Sequence, residues 1–395
     1  MYNKSGSGLQ FFSRLIMKAK ILISLAAFLI ILSSCERRLE ITMESDMTGT
    51  TAIQFVKDLG IGINIGNTLD AIGTFTWAAG ETGWGNPKIS RDFIKALKSY
   101  GYKTIRLPVT WAEYIGLAPD YIINKERMDR VEEVVNWILE EELFCILNLH
   151  HDGGESDRSW ILKAADDPDG IALQLAAVWK QIAQRFSKHS SEKLIFESMN
   201  EIGFDKIYNR YGRSLTGKNE AYGILNMLNQ TFLNTVRSTG DANSHRFLLI
   251  PGYWTDIEMT CDPFFKMPDD TIKDKLILSV HYYTPATFCI ADRPDNSWGY
   301  RETWGTEADL KELSSNINKL KTYFLDKDIP VILGEYGVTM RNKDEESRIL
   351  WMKEVTKSCV DLGICPILWD TGGEINRNPP FTMRDSLKEV WTYFK

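Results

Sequence analysis

Residues 194–201 read Leu-Ile-Phe-Glu-Ser-Met-Asn-Glu, and residues 331–337 read Val-Ile-Leu-Gly-Glu-Tyr-Gly. Each is a short apolar run that closes on polar residues. Six other stretches share the build: 61–66, 104–109, 144–150, 247–252, 276–283 and 365–371. Most are apolar at successive positions, as strands buried on both faces of a parallel sheet must be. Between them lie helical patterns. Phe93, Ala96, Leu97 and Tyr100 recur at helical spacing, as do Val131, Val134, Val135, Ile138 and Leu139, and again Leu310, Leu313, Ile317, Leu320 and Phe324. Eight β-α repeats over residues 51–395 predict an α/β protein, a single-domain (β/α)8 TIM barrel. A doubly wound open sheet fits less well. No Gly-rich dinucleotide fingerprint follows the first strand, because the glycines of Gly60-Ile61-Gly62-Ile63-Asn64-Ile65-Gly66 lie within it.

The chain has 395 residues, of which 44% are apolar and 25% charged, with 28 Gly and 13 Pro; that excludes collagen-like, disordered and multi-span membrane chains. Lys and Arg number 46 against 53 Asp and Glu, a net charge of −7 with no basic block, so no nucleic-acid partner is expected. The aromatic load is heavy, with 12 Trp and 15 Tyr. Exposed aromatic faces grip sugar rings, and a large core is the plainer use of the same residues.

The N-terminus reads as an address. Residues 21–32 (ILISLAAFLIIL) are an apolar run preceded by Arg14, Lys18 and Lys20. The run is short for a bilayer span and suits the apolar region of a secretory signal, with Met17 a candidate start. Leu32-Ser33-Ser34-Cys35 then resembles the lipobox of bacterial lipoproteins, in which Cys35 becomes lipidated and first in the mature chain; an ordinary signal with an incidental cysteine is the alternative. The expected organisation is a lipoprotein-type signal peptide at 1–35, a polar tether at 36–50 and the barrel at 51–395. This makes the protein an exported cell-envelope lipoprotein, held to a membrane leaflet through Cys35 and otherwise monomeric. Five further cysteines, Cys145, Cys261, Cys289, Cys359 and Cys365, show no Cys-x-x-Cys spacing. Cys145 reads as a small buried hydrophobe. Cys359 and Cys365 are close enough in sequence to be candidates for pairing.

Barrels of this kind place their chemistry at the C-terminal strand ends. Those ends carry Asn67, Arg106, Asn148, His150, His151, Asn200, Glu201, His281, Tyr283, Glu335, Tyr336, Trp369 and Asp370, including three of the five histidines in the chain. Glu201 and Glu335 each follow a strongly apolar run, where burying an acid without purpose is costly. Strands four and seven are three steps apart around an eight-stranded ring, so the two carboxyls can face each other. Opposed carboxyls are the minimum equipment for glycosidic cleavage, and about 5–5.5 Å between them gives retention of configuration. His281 and Tyr283, two apart on a strand, share a face. Arg106 or a Tyr hydroxyl beside Glu335 favours its ionised form, while Glu201 needs burial or the field of the other carboxylate to hold a proton. Asn200 is suited to a sugar hydroxyl and Trp369 to the floor under a pyranose ring. Taken singly, either Glu is a solvated loop acid and Arg106 half of a structural ion pair. Adjacent His150 and His151 suggest a metal site, but neighbours on a strand point to opposite faces and no ligand set accompanies them.

The ordered set resembles glycoside hydrolase family 5, the cellulase family of retaining glycosidases. Its landmarks stand here as Arg106 in IRLPV, His150 in LNLHHDG, Asn200-Glu201 in FESMNE, His281 and Tyr283 in SVHYYTP, Glu335 in LGEYG and Trp369 in ILWD. GINIGNTLDA is similar to the first-strand segment of its bacterial endoglucanases, and FESMNE with HHDG is closest to the subfamily 4 type. The resemblance implies that Glu201 is the general acid/base and Glu335 the nucleophile. It also implies Asn67, Arg106, His150, His151, Asn200, His281, Tyr283 and Trp369 around the substrate, with no metal or organic cofactor. The expected activity is endo-β-1,4-glucanase on cellulose-type, mixed-linkage or xyloglucan chains. Mannan or xylan cleavage, a catalytically idle carbohydrate-binding lipoprotein and a metal-dependent hydrolase are the rivals. Phe288, Trp298, Tyr300 and Trp304 on the long segment after strand six, with Trp84, Trp111 and Trp254, are expected to stack on sugars.

Overall fold

The structure, a computed structural model, describes residues 51–73, 80–154 and 158–394. The signal peptide, Cys35 and the tether at 36–50 lie outside the described residues. The residues from Thr51 onward form one compact unit. Eight parallel strands close into a barrel in sequence order: β1 (Gly62–Asn64), β2 (Thr104–Leu107), β3 (Phe144–Asn148), β4 (Leu194–Glu197), β5 (Leu248–Asp256), β6 (Leu276–Tyr282), β7 (Val331–Tyr336) and β8 (Cys365–Leu368), with β8 pairing back to β1. All eight expected strands are present. Most are shorter at the C-terminal end than the apolar runs implied: pairing on β4 stops at Glu197, so Asn200 and Glu201 already belong to the loop at the barrel mouth.

Helices cover the outside. They are α1 (Ala52–Asp58), α2 (Arg91–Ser99), α3 (Lys125–Glu140), α4 (Pro168–Arg185), α5 (Asp205–Tyr211), α6 (Leu215–Ser238), α7 (Ile257–Thr260), α8 (Ala286–Cys289), α9 (Glu307–Tyr323), α10 (Glu345–Asp361) and α11 (Asp385–Tyr393). Most of the longer ones begin on a side chain that accepts from a first-turn N–H: Ser90, Asn124, Asp167, Ser214 and Asp344 each do so, and Thr306 with Asp309 forms a reciprocal capping box. Their apolar stripes and the outward faces of the strands make the larger core.

The barrel interior has two tiers, and this split positions the site. The lower tier is apolar: Ile146, Ile195, Leu249, Ile277, Ile332, Cys365 and Ile367 are sealed from below by Ala52, Phe55 and Val56 of α1 and by Leu59, which caps it. Phe55 stacks on Phe247 at 3.7 Å between ring centroids and meets Phe144 edge-on. The upper tier holds Asn64, Arg106, Asn148, Glu197 and Ser279, all fully buried. Charged groups there have no access to solvent from beneath, so they must satisfy one another.

Candidate active site

Arg106 is the hub of the upper tier. Its Nε donates to Glu197 Oε2 at 2.7 Å, Nη1 to Asn64 Oδ1 at 2.9 Å and to Glu335 Oε1 at 2.7 Å, and Nη2 to Asn200 Oδ1 at 2.8 Å. Glu197 also accepts from Asn148 Nδ2 at 3.1 Å and Ser279 Oγ at 2.7 Å. Asn64 is held in turn by donating to the carbonyls of Gly334 and Leu368. Above this layer Tyr283 Oη donates to Glu335 Oε2 at 2.9 Å, and His281 Nδ1 lies 2.8 Å from Glu201 Oε1 and 3.7 Å from Glu335 Oε2. Ligand-type atoms of Glu201, His281 and Glu335 all fall within 4.8 Å of one another. An oxygen of each carboxyl is thus close enough to the other for both to act on one glycosidic bond.

Backbone irregularity aims Glu335. Val280 pairs with Leu333, but the next pair is His281 with Glu335, so Gly334 is an extra residue in β7. Strict alternation from the inward Ile332 would turn Glu335 outward; the bulge turns it in. Glycine is needed there for space, since a Cβ would stand 3.0 Å from Ser279 Oγ and 3.1 Å from His281 Nε2. Trp369, just past β8, lies parallel to His150 with ring centroids 5.5 Å apart. It approaches Gly66 so closely that a Cβ would meet the indole at 2.9 Å.

These groups open into a cleft of about 470 Å³ lined by His150, His151, Asn200, Glu201, Tyr283, Glu335 and Trp369, among others. A second cavity of about 440 Å³ lies at the other end of the barrel, against Val56, Tyr100 and Trp391, and has neither an acid nor a histidine in its lining. Contrary to the expectation from their adjacency, His150 and His151 do not lie on opposite faces of a strand. β3 ends at Asn148, and His151 opens a short 3-10 turn (His151–Gly153), so both rings reach the cleft. Asn67 is not brought to the cluster: its backbone turns at φ +57°, bonded to Asp70 and Asn86, and Asn64 three residues earlier takes the inward position. Of the expected sugar-stacking residues, Trp111, Phe288 and Trp304 are buried in the core, with Trp111 Nε1 donating to the Asn148 carbonyl. Trp298 is half exposed, and Trp84, Trp254 and Tyr300 are partly so. Cys359 and Cys365 do not pair; both are buried free thiols, as are Cys145, Cys261 and Cys289.

Glu197, Asn64 and Ser279 escaped the sequence reading. The signal for Glu197 was present. It is an acid in an apolar strand, two residues along from inward Ile195, and the cost argument applied to Glu201 applies to it with more force.

Burial opposes the charge on Arg106, but the fields of Glu197 and Glu335 outweigh it and raise its pKa further. Burial drives His150 well below the ordinary histidine value, so its ring is neutral, and pushes the Tyr283 phenol well up, so it remains a donor. Burial pushes Glu335 up against the pull of His281 and Arg106. On Glu201 the burial penalty is outweighed by the bond and field of His281, and its pKa falls. Both oxygens of Glu335 accept, one from a guanidinium that cannot receive a proton, whereas Glu201 has one oxygen bonded to His281. Acceptance on both oxygens favours the charged form of Glu335, which is the form a nucleophile needs.

Two acid–histidine clusters among the described residues have the spacing of a cation site, Glu201–His281–Glu335 and Asp70–His150–His151. Neither fits well. Each oxygen of Glu335 already accepts one hydrogen bond, from Arg106 or from Tyr283, with the Arg106 cation beside it, and both oxygens of Asp70 accept backbone N–H groups of Asn67 and Thr68.

The family described as Cellulase (glycosyl hydrolase family 5) matches residues 69–374. Endoglucanase A of Paenibacillus barcinonensis is 36% identical over 350 residues, covering 83% of this chain and 84% of that one. Among solved structures, a GH5-4 broad specificity endoglucanase from an uncultured bovine rumen ciliate superposes with a TM-score of 0.77 at 34% identity, covering 87% of this chain and 98% of its own. One from Ruminococcus champanellensis with bound cellotriose gives 0.76 at 34%, covering 87% and 97%.

Proposed function

The chain belongs to glycosyl hydrolase family 5, and from that premise we propose how its site acts as a retaining endo-β-1,4-glucanase. The observation that carries the reading is the carboxyl pair across β4 and β7, with a polar atom of each within 4.8 Å of the other. In the first step a Glu335 oxygen attacks the anomeric carbon while Glu201 protonates the departing glycosidic oxygen, so the sugar becomes esterified to Glu335. In the second, Glu201 takes a proton from water, the water oxygen attacks the same carbon, and Glu335 leaves as carboxylate. Two inversions give net retention. Arg106 and Tyr283 hold the attacking carboxylate in place, and His281 orients Glu201. Asn200, tied by Oδ1 to Arg106, keeps its amide N–H groups for a sugar hydroxyl, and Trp369 offers an apolar face in the cleft.

The substrate class we infer is β-1,4-linked glucan, supported by the broad specificity and bound cellotriose of the neighbours named above. Carboxymethylcellulose, mixed-linkage β-glucan, xyloglucan, glucomannan and xylan, each beside Glu335→Gln, test this. Cleavage of a β-glucan that disappears in the variant and yields the β-anomer first is expected. Activity confined to xylan, or a folded protein inert on every polymer, overturns it. We also propose envelope anchoring through Cys35, supported by the apolar run and the Ser-Ser-Cys that follows. Cys35→Ala releases the protein from the membrane fraction on this reading, and unchanged fractionation refutes it.

A further inference from the structure

We propose that Glu197, beneath the site and out of reach of substrate, is a positioning residue that acts through Arg106: by binding one edge of the guanidinium it limits how far that cation neutralises Glu335. The proposal rests on the reading of Glu335 as nucleophile. Among the described residues, Arg106 is the only Lys or Arg ion-paired to either carboxylate, and it meets both at 2.7 Å. One cation is thus divided between two anions, only one of which reaches the cleft.

The placement argues that charge, and not shape, is what matters at Glu197. Its side chain is fully buried above Ile195 and Leu249, where an ionised group is costly, and an amide oxygen could also accept from Arg106 and Asn148. Its other contacts, Asn148 and Ser279, are neutral. A carboxylate there does what an amide cannot: it competes for the guanidinium. With Glu197 neutral, Arg106 would be committed to Glu335, which would become a more acidic and weaker nucleophile. The other groups facing Glu335 are His150 past β3, Glu201 past β4, and His281 and Tyr283 at the end of β6; none of them touches Glu197.

Two substitutions shift the balance in opposite directions. Glu197→Gln removes the competing charge and should lower the Glu335 titration by about half to one pH unit. Ser279→Ala removes the 2.7 Å donor to Glu197, concentrates that carboxylate on Arg106 and should raise the Glu335 titration. The titration is read from the carbon-13 Cδ shift of Glu335, assigned with Glu335→Gln, and again from the acid limb of kcat/KM on a soluble β-glucan. The first reading needs no substrate, so a wrong substrate class leaves the test intact. Opposite shifts support the proposal. An unmoved titration in both variants, with only melting temperature lowered, makes Glu197 a structural ion-pair partner and overturns it, as does an upward shift in Glu197→Gln. Should Glu197→Gln fail to fold, the sign of the Ser279→Ala shift decides alone.

Discussion

Tyr283→Phe is expected to move the acid limb of kcat/KM upward, by an amount that the geometry bounds. The Tyr283 hydroxyl donates to Glu335 Oε2 at 2.9 Å, and the carboxylate it meets is almost completely buried. A hydrogen bond to an ionised group is worth about 1.5–3 kcal/mol. At about 1.36 kcal/mol per pH unit that converts to roughly one to two units. The sign follows from which form the bond favours: the phenol stabilises the anion, so without it Glu335 takes a proton at higher pH. Arg106 still holds Oε1 at 2.7 Å, so the lower end of the range is the better expectation. Tyr283 does not confuse the profile by titrating, because burial pushes its phenol well above the usual tyrosine range. The assay is kcat/KM on a soluble β-glucan between about pH 4 and 8, with folding checked by circular dichroism. A limb that stays in place, or moves down, would refute the idea that the phenol supports the nucleophile's charge.

Gly334→Ala should cut kcat at least about tenfold while leaving the fold intact, because the new methyl meets Ser279 Oγ and His281 Nε2 at 3.0 and 3.1 Å; full activity would mean that the bulge has slack. Phe55→Ala empties the seal of the lower tier and should cost about 3–5 kcal/mol, seen as a lower melting temperature with kcat unchanged at moderate temperature. Asp152, fully buried against Trp111 N and Trp160 Nε1, has its pKa pushed up by burial to about 6. The folded state therefore binds its proton more tightly than the unfolded state, and stability present below about pH 4 is lost as pH rises to about 6, a change of roughly 3 kcal/mol. Asp152→Asn removes that dependence, so its melting temperature relative to the parent should climb between those pH values; parallel curves would be the contrary result.

The fold was legible because parallel strands buried on both faces leave an unmixed apolar run, and the chain has eight of them in regular alternation with helical patterns. The mouth was legible because polar residues at the ends of such runs stand out, as Asn200, Glu201 and Trp369 do. What stayed hidden was anything that depends on which way a side chain turns. Trp111 and Trp304 look like candidates for sugar stacking, and they are core. Asn67 and Asn64 are three residues apart, and only the barrel shows that Asn64 points at Arg106. The inward turn of Glu335 depends on a bulge whose only trace in the sequence is one glycine inside a strand.

The charge count of the upper tier explains why such a costly layer fits this reaction. Arg106 contributes one positive charge and Glu197 and Glu335 one negative charge each. Glu201, protonated as the first step requires, adds nothing, and His150, driven down by burial, is neutral. The resting site is therefore short of one positive charge, in a tier closed from below by the apolar seal. Positive charge is what the reacting sugar develops as its glycosidic bond stretches toward an oxocarbenium ion. Were Arg106 balanced by Glu335 alone, the tier would be neutral and would offer that ion little. Glu197 supplies the missing negative charge without touching the substrate, which accounts for an ionised group being held where an amide oxygen could also accept from Arg106 and Asn148.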